Sequence, residues 1–178
     1  MERFVGIPIA KTTANAERTK AIDTHLALGK GLVYIHWAVE GGRDAGLFAQ
    51  RIGLAGYAKE TRYRHGPLDV SFRVGSDHPI ARNFDSLELV DESYWKLHGD
   101  PSKIQTIATV VEAGEVHPLF WTMEPNRGRV FVSIPGHYSW TFDDPLYRIL
   151  LLRGIAWSAR ENVDRFNDLV LVGVQLEK

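Results

Sequence analysis

The fold follows first from a short apolar run, Gly31-Leu-Val-Tyr-Ile-His36. The run begins at a glycine and is rich in β-forming residues, and consecutive apolar positions are typical of a strand buried on both faces of a parallel sheet. Before it, Asn15 is a suitable N-cap for a helix that reaches about Leu28 and stops at Gly29. After it, Asp44–Ile52 predicts a second, short helix. A helix, a buried strand and a helix in this order indicate an α/β protein.

The rest of the sequence is rich in predicted strands. Apolar–polar alternation and short β-branched runs predict the following strands: Leu68–Phe72, Leu87–Val90, Ile104–Val111, Pro118–Thr122, Arg129–Ile134 and Val170–Val174. Glu112-Ala-Gly-Glu115 predicts a hairpin turn. Asp144, directly before a proline, predicts a capped helix that runs to about Arg160, with Leu146 and Leu150 among its buried residues.

Length and charge limit the classes of protein that this chain can form. The 178 residues are enough to bury about 70% of the unfolded surface, so residues 1–178 are expected to form a single domain. The 21 Lys and Arg residues against 22 Asp and Glu give a net charge of -1, which predicts no nucleic-acid partner. The apolar runs are far shorter than the ~20 residues of a membrane span, and Met1–Lys11 lacks the apolar core of a signal peptide. We therefore expect a cytoplasmic protein that does not bind membranes.

Several common kinds of site are missing from the sequence. The chain has no cysteine, which excludes disulfides, thiolate metal ligands and a cysteine nucleophile. It contains no phosphate-binding loop and no dinucleotide-binding fingerprint, so no nucleotide cofactor is expected. The G-x-S-x-G elbow of serine hydrolases is also missing.

Three ionisable side chains follow predicted strands: His36, Glu92 and His137. Ligands of open α/β sheets bind outside the carboxyl ends of the strands, so these residues are candidates for one site. Two imidazoles and a carboxylate suit a divalent metal ion such as zinc, or an acid–base pair with a steering carboxylate. The alternative is that each histidine is a hydrogen-bonded structural residue.

The other histidines have simpler explanations, with one exception. His65, in Arg64-His-Gly-Pro67, is a fourth candidate for the site, although a loop histidine before Gly-Pro can equally cap the backbone. His78 precedes a proline and favours a turn. Structural or surface roles are the better interpretation of the remaining ones: His25, His98 and His117.

Aromatic residues cluster beside the same strand ends. They are Trp37, Tyr94, Trp95, Tyr138, Trp140 and Phe142. Flat apolar faces with a polar rim stack on sugar rings, and they also close a core, which is the commoner role for any one of them. Their shared location favours a carbohydrate site. The neighbouring pair Asp143 and Asp144 resembles a two-carboxylate acid–base site, but helix capping already explains Asp144.

Short motifs occur in one order over about residues 16–160. They are Gly31-Leu-Val-Tyr-Ile-His36, Asp77-His-Pro-Ile80, Asp91-Glu-Ser-Tyr94, Gly128-Arg-Val-Phe131, Gly136-His137 and Leu151-Leu-Arg-Gly-Ile-Ala-Trp157. Together they resemble the ThuA-like (trehalose utilisation) family. That family is similar in fold to class I glutamine amidotransferases, which implies a flavodoxin-like three-layer sandwich. The resemblance also implies a role in sugar catabolism, with oxidised (3-keto) disaccharides or glycosides as substrates of an isomerase or hydrolase.

The residues and the resemblance lead to one hypothesis and one alternative. In the hypothesis, His36, Glu92 and His137 bind a metal ion, zinc first, or share proton transfer. The side chains expected to contact the sugar are Trp37, His65, Tyr94, Trp95 and Trp140. The alternative is a non-catalytic carbohydrate-binding or interaction domain with the same fold.

The sequence departs from the family pattern at two places. The glutaminase relatives carry their nucleophilic cysteine on an elbow after a strand, and the equivalent stretch here is Ile35-His-Trp-Ala38, so amidotransferase activity is excluded. The family also opens with a strand–helix–strand unit, whereas only Met1–Ala14 precede the first predicted helix, with Phe4–Ile9 as one possible strand. We therefore expect a truncated or atypical N-terminal segment and an open sheet edge that a second copy of the chain could cover.

Overall fold

The computed structural model describes residues 12–170, with side chains from residue 16 onward. The helices are α1 (Thr12–Ala27), α2 (Ala45–Ile52) and α3 (Pro145–Ser158). The strands are β1 (Gly31–Ile35), β2 (Leu54–Ala55), β3 (Arg62–Ser71), β4 (Ser86–Trp95), β5 (His98–Gly99), β6 (Gln105–Glu112), β7 (Glu115–Met123) and β8 (Arg129–Ser133). These helices and strands share one core, which confirms the α/β class.

Strands β1, β8, β7, β6, β3 and β4 form one mixed sheet in that order, and β2 pairs with β5. Only β1 and β8 are parallel neighbours within residues 12–170; the other pairs are antiparallel. β1 is less buried than predicted, because it lies at an edge of the described sheet and Tyr34 is its one fully buried residue. The buried parallel strand is β8, where Val130, Phe131 and Val132 are inaccessible to solvent.

Helices cover both faces of this sheet. A Cβ on Gly31 would lie 2.0 Å from the backbone oxygen of Ser158, so α3 packs directly on one face of β1. Tyr34 points to the opposite face, since side chains alternate along a strand, and its ring contacts Phe48 of α2 edge-on at 5.7 Å. The result is the predicted three-layer arrangement of helix, sheet and helix. No helix among residues 12–170 is long and apolar enough to cross a membrane.

Two predicted local signals are confirmed. Ala113 and Gly114 form the two-residue turn between β6 and β7, and both have positive φ angles (52° and 81°), as a type I′ hairpin requires. Asp144 caps α3, because its Oδ1 accepts a hydrogen bond of 2.8 Å from the backbone N–H of Tyr147. Leu146, however, is 45% exposed rather than buried, since it lies in the first turn of α3 on the solvent side.

The ends of other helices and strands differ from the predicted ones. Helix α1 begins at Thr12, so Asn15 lies inside the helix. Strands β3 and β4 pair along ten residues each, from Arg62 opposite Trp95 to Ser71 opposite Ser86, and both are longer than predicted. The strands predicted at Phe4–Ile9 and beyond Val170 lie outside the described residues.

Candidate functional site

The three ionisable residues predicted to share a site meet in the structure. His36 follows β1 directly, and His137 follows β8 after a short Pro-Gly turn. Glu92 lies inside β4 rather than after it, because pairing with β3 continues to Trp95. His36 Nε2 lies 3.1 Å from His137 Nδ1 and 3.4 Å from Glu92 Oε2, and His137 Nδ1 lies 3.2 Å from the same Oε2.

The backbone at His36 is held in an unusual conformation. Its φ angle is 54°, in the left-handed region that few residues other than glycine adopt, and such residues cluster at functional sites. Its Nδ1 lies 3.2 Å from the backbone oxygen of Ile134, which fits an Nδ1–H donor, so the lone pair of the neutral ring lies on Nε2, the atom that faces Glu92 and His137. Burial lowers the pKa of His36 below its usual value, although Glu92 opposes the shift, so the imidazole is held neutral.

Tyr94 lies beneath these residues rather than at the surface. It is 1% exposed, and its hydroxyl donates to Glu92 Oε2 at 3.0 Å. The hydroxyl oxygen of Tyr94 also lies 3.0 and 3.1 Å from the two ring nitrogens of His36. Burial and the Glu92 carboxylate raise the pKa of Tyr94 far above its ordinary value, so the phenol remains a hydrogen-bond donor. Tyr94 therefore orients two site residues.

His65 joins the same group from strand β3. Its Nε2 lies 3.4 Å from Glu92 Oε1, the oxygen that faces away from His36. Its Nδ1 lies 3.0 Å from the hydroxyl of Tyr138, and its ring packs edge-on against that of His137 at 4.8 Å. His65, the fourth candidate, thus lies beside the candidate ligands.

A cleft of about 310 Å³ opens onto these side chains. Its lining residues are His36, Trp37, Ala58, Thr61, Tyr63, Glu92, Tyr94 and His137. Trp37 is 38% exposed there, with its ring edge-on to Tyr94 at 5.5 Å. Ala58, Thr61 and Tyr63 were not predicted. Tyr63 and His65 share one face of β3 through the two-residue period, but the strand was predicted to begin only at Leu68, so this pattern did not identify Tyr63.

Three of the residues predicted to contact a sugar do not line the cleft: His65, Trp95 and Trp140. His65 contacts Glu92 and Tyr138 instead. Glu92 and Tyr94 lie on one face of β4. Trp95 comes directly after Tyr94, so it points to the other face, where its ring lies near that of His117. Trp140 stacks on Tyr138 with ring centroids 4.1 Å apart and donates from Nε1 to the backbone oxygen of Val90. Trp140 therefore lies outside the cleft, behind Tyr138.

The donor atoms fit a divalent metal ion. A tetrahedron with metal–ligand bonds of about 2.0 Å has edges of about 3.3 Å, and the three distances among His36 Nε2, Glu92 Oε2 and His137 Nδ1 are 3.1, 3.2 and 3.4 Å. Two histidines and a glutamate form a donor set of catalytic zinc sites, which keep a fourth position for water or substrate. No other His, Asp and Glu triplet within the described chain comes as close.

Comparisons with known proteins agree with this fold. The sequence matches the model of the ThuA family, described as trehalose utilisation, over residues 4–158. A ThuA-like protein from Parabacteroides merdae has a similar structure, with a TM-score of 0.67 and 20% identity over 80% of this chain and 65% of that protein. One from Bacteroides uniformis gives a TM-score of 0.63 and 18% identity over 81% of this chain and 66% of that protein.

A cytoplasmic protein from Salmonella typhimurium is also similar, with a TM-score of 0.59 and 17% identity over 79% of this chain and 59% of that protein. The chain therefore spans less than two thirds of each of these three proteins. At such identities the likeness shows a shared fold. No curated protein matches the sequence.

Proposed function

The chain belongs to the ThuA (trehalose utilisation) family, and from that membership we propose that it is a cytoplasmic sugar-catabolism enzyme that isomerises or hydrolyses a (3-keto) disaccharide or glycoside. The single observation that supports this chemistry is the triangle of His36, Glu92 and His137 donor atoms, with edges of 3.1 to 3.4 Å, at the floor of the cleft. In this proposal the partner is a small carbohydrate, and neither nucleic acid nor a nucleotide cofactor takes part.

In this proposal each side chain of the site has a distinct role. His36, held neutral by burial, presents Nε2, while Glu92 and His137 supply the other two donors. Such a set holds zinc, and a bound divalent ion would polarise a carbonyl and acidify an adjacent hydroxyl or water. Tyr94 keeps the Glu92 carboxylate in place through its hydroxyl. Without a metal ion, the same histidines and carboxylate could share proton transfer.

The walls of the cleft suit a sugar ring. Trp37 and Tyr63 present partly exposed aromatic faces, 38% and 61% of their surface, beside the donor atoms. Aromatic faces pack on the apolar faces of sugars. The same walls would serve a non-catalytic carbohydrate-binding domain, which is our second candidate.

One experiment separates these candidates. Zinc content and zinc affinity are measured on the purified protein, and turnover of 3-keto-glycosides is followed with zinc, manganese or magnesium supplied. The enzyme proposal expects one metal per chain, and turnover that is lost in His137→Ala while the variant stays folded. A matched control is His117→Ala, on β7 away from the cleft. Sugar binding without turnover under every metal would favour the binding domain.

The two outer strands of the described sheet suggest a further partner. Strands β1 and β4 are the outer strands of the described sheet, and unpaired strand edges favour association. We propose that a second copy of the chain covers one of them. Light scattering of the full chain tests this proposal, which a monomer at all concentrations would contradict.

A further inference from the structure

A buried carboxylate next to the site connects two of its candidate ligands. Asp91 is completely buried. Its Oδ1 accepts hydrogen bonds from the backbone N–H of Glu92 at 2.6 Å and from that of His137 at 3.1 Å. One oxygen therefore binds the backbone of both residues, which are 45 positions apart and lie on different elements.

The second oxygen of Asp91 holds the same loop at two more points. Oδ2 accepts from the backbone N–H of Gly136 at 3.2 Å and from the hydroxyl of Thr141. Gly136 has a φ angle of 136°, which is open to glycine but strained for other residues, and a Cβ there would lie 2.7 Å from Ile35 Cγ2. The turn before His137 is thus a tight one, and Asp91 binds the chain at Gly136, at His137 and, further on, at Thr141.

Both carboxylate oxygens of Asp91 must act as hydrogen-bond acceptors, because all four partners are donors. Bonds from N–H and O–H groups to an ionised carboxylate are roughly twice as strong as neutral ones, and they offset the cost of burying the charge of Asp91. An amide at this position would present N–H groups towards donors, so Asp91→Asn would lose the bonds on one side while changing the volume little.

We infer that Asp91 is a positioning residue: by binding the backbones of Glu92 and His137 together, it presets the spacing of these two ligands and thereby sets the affinity of the site for its metal ion. This inference rests on the proposed function. A purely structural role predicts something different, namely lower stability with an unchanged metal affinity in the protein that remains folded.

Zinc binding to two matched variants distinguishes these roles. Asp91→Asn and Asp144→Asn both alter a carboxylate that accepts backbone N–H bonds, but Asp144 caps α3 and touches none of the candidate ligands. Zinc affinity is measured by competition with a chromophoric chelator at a temperature where all proteins are folded. Asp91→Asn should bind zinc about 10- to 100-fold more weakly, the usual effect of removing such a supporting contact. Asp144→Asn should stay within about two-fold of the wild type.

Amide hydrogen exchange provides a second measurement that needs no metal. In the metal-free protein, the amides of Gly136 and His137 should exchange at least about ten-fold faster in Asp91→Asn, since opening a local contact increases exchange. If Asp91→Asn does not fold, Thr141→Val removes one bond to the same carboxylate and should raise exchange at these two amides.

The outcomes separate the inference from the proposed function. Wild-type zinc affinity and wild-type exchange in Asp91→Asn would overturn the positioning role. Exchange that rises while zinc affinity is unchanged would also overturn it, because the contact would then be structural only. If the wild type itself binds no zinc, the metal site of the proposed function fails, and the link from Asp91 to metal affinity fails with it, whereas the exchange rates show whether Asp91 still holds the loop.

Discussion

His36 Nε2 and His137 Nδ1 lie 3.1 Å apart although 101 residues separate them in the sequence. The cause is the register of β1 and β8, which run parallel with Ile35 opposite Ser133. Parallel strands end at the same edge of a sheet, so the residues that follow them emerge side by side. Glu92 reaches the same point from the antiparallel strand β4.

Removal of the buried Tyr94 hydroxyl next to Glu92 should lower the affinity for a metal ion more than it lowers the free energy of unfolding. Tyr94→Phe loses the bond to Glu92 Oε2 and the contacts with His36, and the Phe ring fills the same space. We expect the free energy of unfolding to fall by about 1 kcal/mol and zinc to bind at least about ten-fold more weakly. Urea unfolding and zinc titration check this.

The matched control is Tyr147→Phe. Tyr147 is also completely buried, and its hydroxyl donates to the backbone oxygen of Pro135 without touching a candidate ligand. It should lose a similar amount of stability and keep zinc affinity within a few-fold of the wild type. Equal zinc affinities of the two variants would mean that Tyr94 does not support the site.

The sequence predicted those parts of the site that depend on strand order. His36 could be found because it directly follows the apolar run Gly31–Ile35. His137 could be found because it follows the apolar run that ends at Ile134, after the turn Pro135-Gly136. Glu92 was identified for the wrong reason: it was placed after a strand, whereas β4 continues through it to Trp95. That error assigned Trp95 to the cleft, since the alternation of faces along β4 was not applied beyond Val90.

Other parts could not be predicted because they depend on contacts between distant segments. The part of β3 before Leu68 contains Gly66 and Pro67 and no apolar alternation, so nothing local marks Tyr63 as a strand residue lining the cleft. Trp140 lies in a loop, and its direction is set by stacking on Tyr138 and by the bond to Val90. Neither contact has a local sequence pattern.

Stability should fall in mild acid because of one buried histidine outside the site. His78 Nδ1 accepts a hydrogen bond from the backbone N–H of Ile80, and burial, aided by Arg129, lowers the pKa of His78 from 6.5 to about 4. Between pH 6.5 and 4 the unfolded chain therefore holds a proton that the folded chain does not, so stability decreases as the pH falls through this window.

The expected size of this effect is about 1–2 kcal/mol between pH 7 and pH 5, allowing for partial solvent screening. His78→Asn keeps an acceptor for the N–H of Ile80 and removes the titrating group. Urea unfolding at the two pH values should show a smaller decrease in the variant than in the wild type. Identical decreases would show that His78 is protonated in the folded protein.

Two helical glycines should respond in opposite ways to replacement by alanine. Gly46, in α2, has open space where a Cβ would go, so Gly46→Ala should raise the free energy of unfolding by up to about 1 kcal/mol through helix propensity. Gly154, in α3, would place its Cβ 2.2 Å from the ring of Phe131 in the core. Gly154→Ala should therefore destabilise by about 1–3 kcal/mol through overpacking. Denaturant midpoints compare the two, and a stabilised Gly154→Ala variant would contradict the close packing of α3 on β8.

The two exposed tryptophans near the site should differ in their effect on sugar binding. Trp37 lines the cleft beside the donor atoms, whereas Trp140 lies outside it on the ring of Tyr138. Both are partly exposed, 38% and 53%, so replacement by alanine should be tolerated by the fold in each case. Trp37→Ala removes an aromatic wall and should weaken binding of a keto-glycoside about ten-fold, equivalent to about 1.4 kcal/mol. Trp140→Ala should change the affinity by less than about two-fold. Isothermal titration of both variants at one metal concentration measures the difference, and a larger loss in Trp140→Ala would place the sugar outside the cleft, along the Tyr138 side of the site.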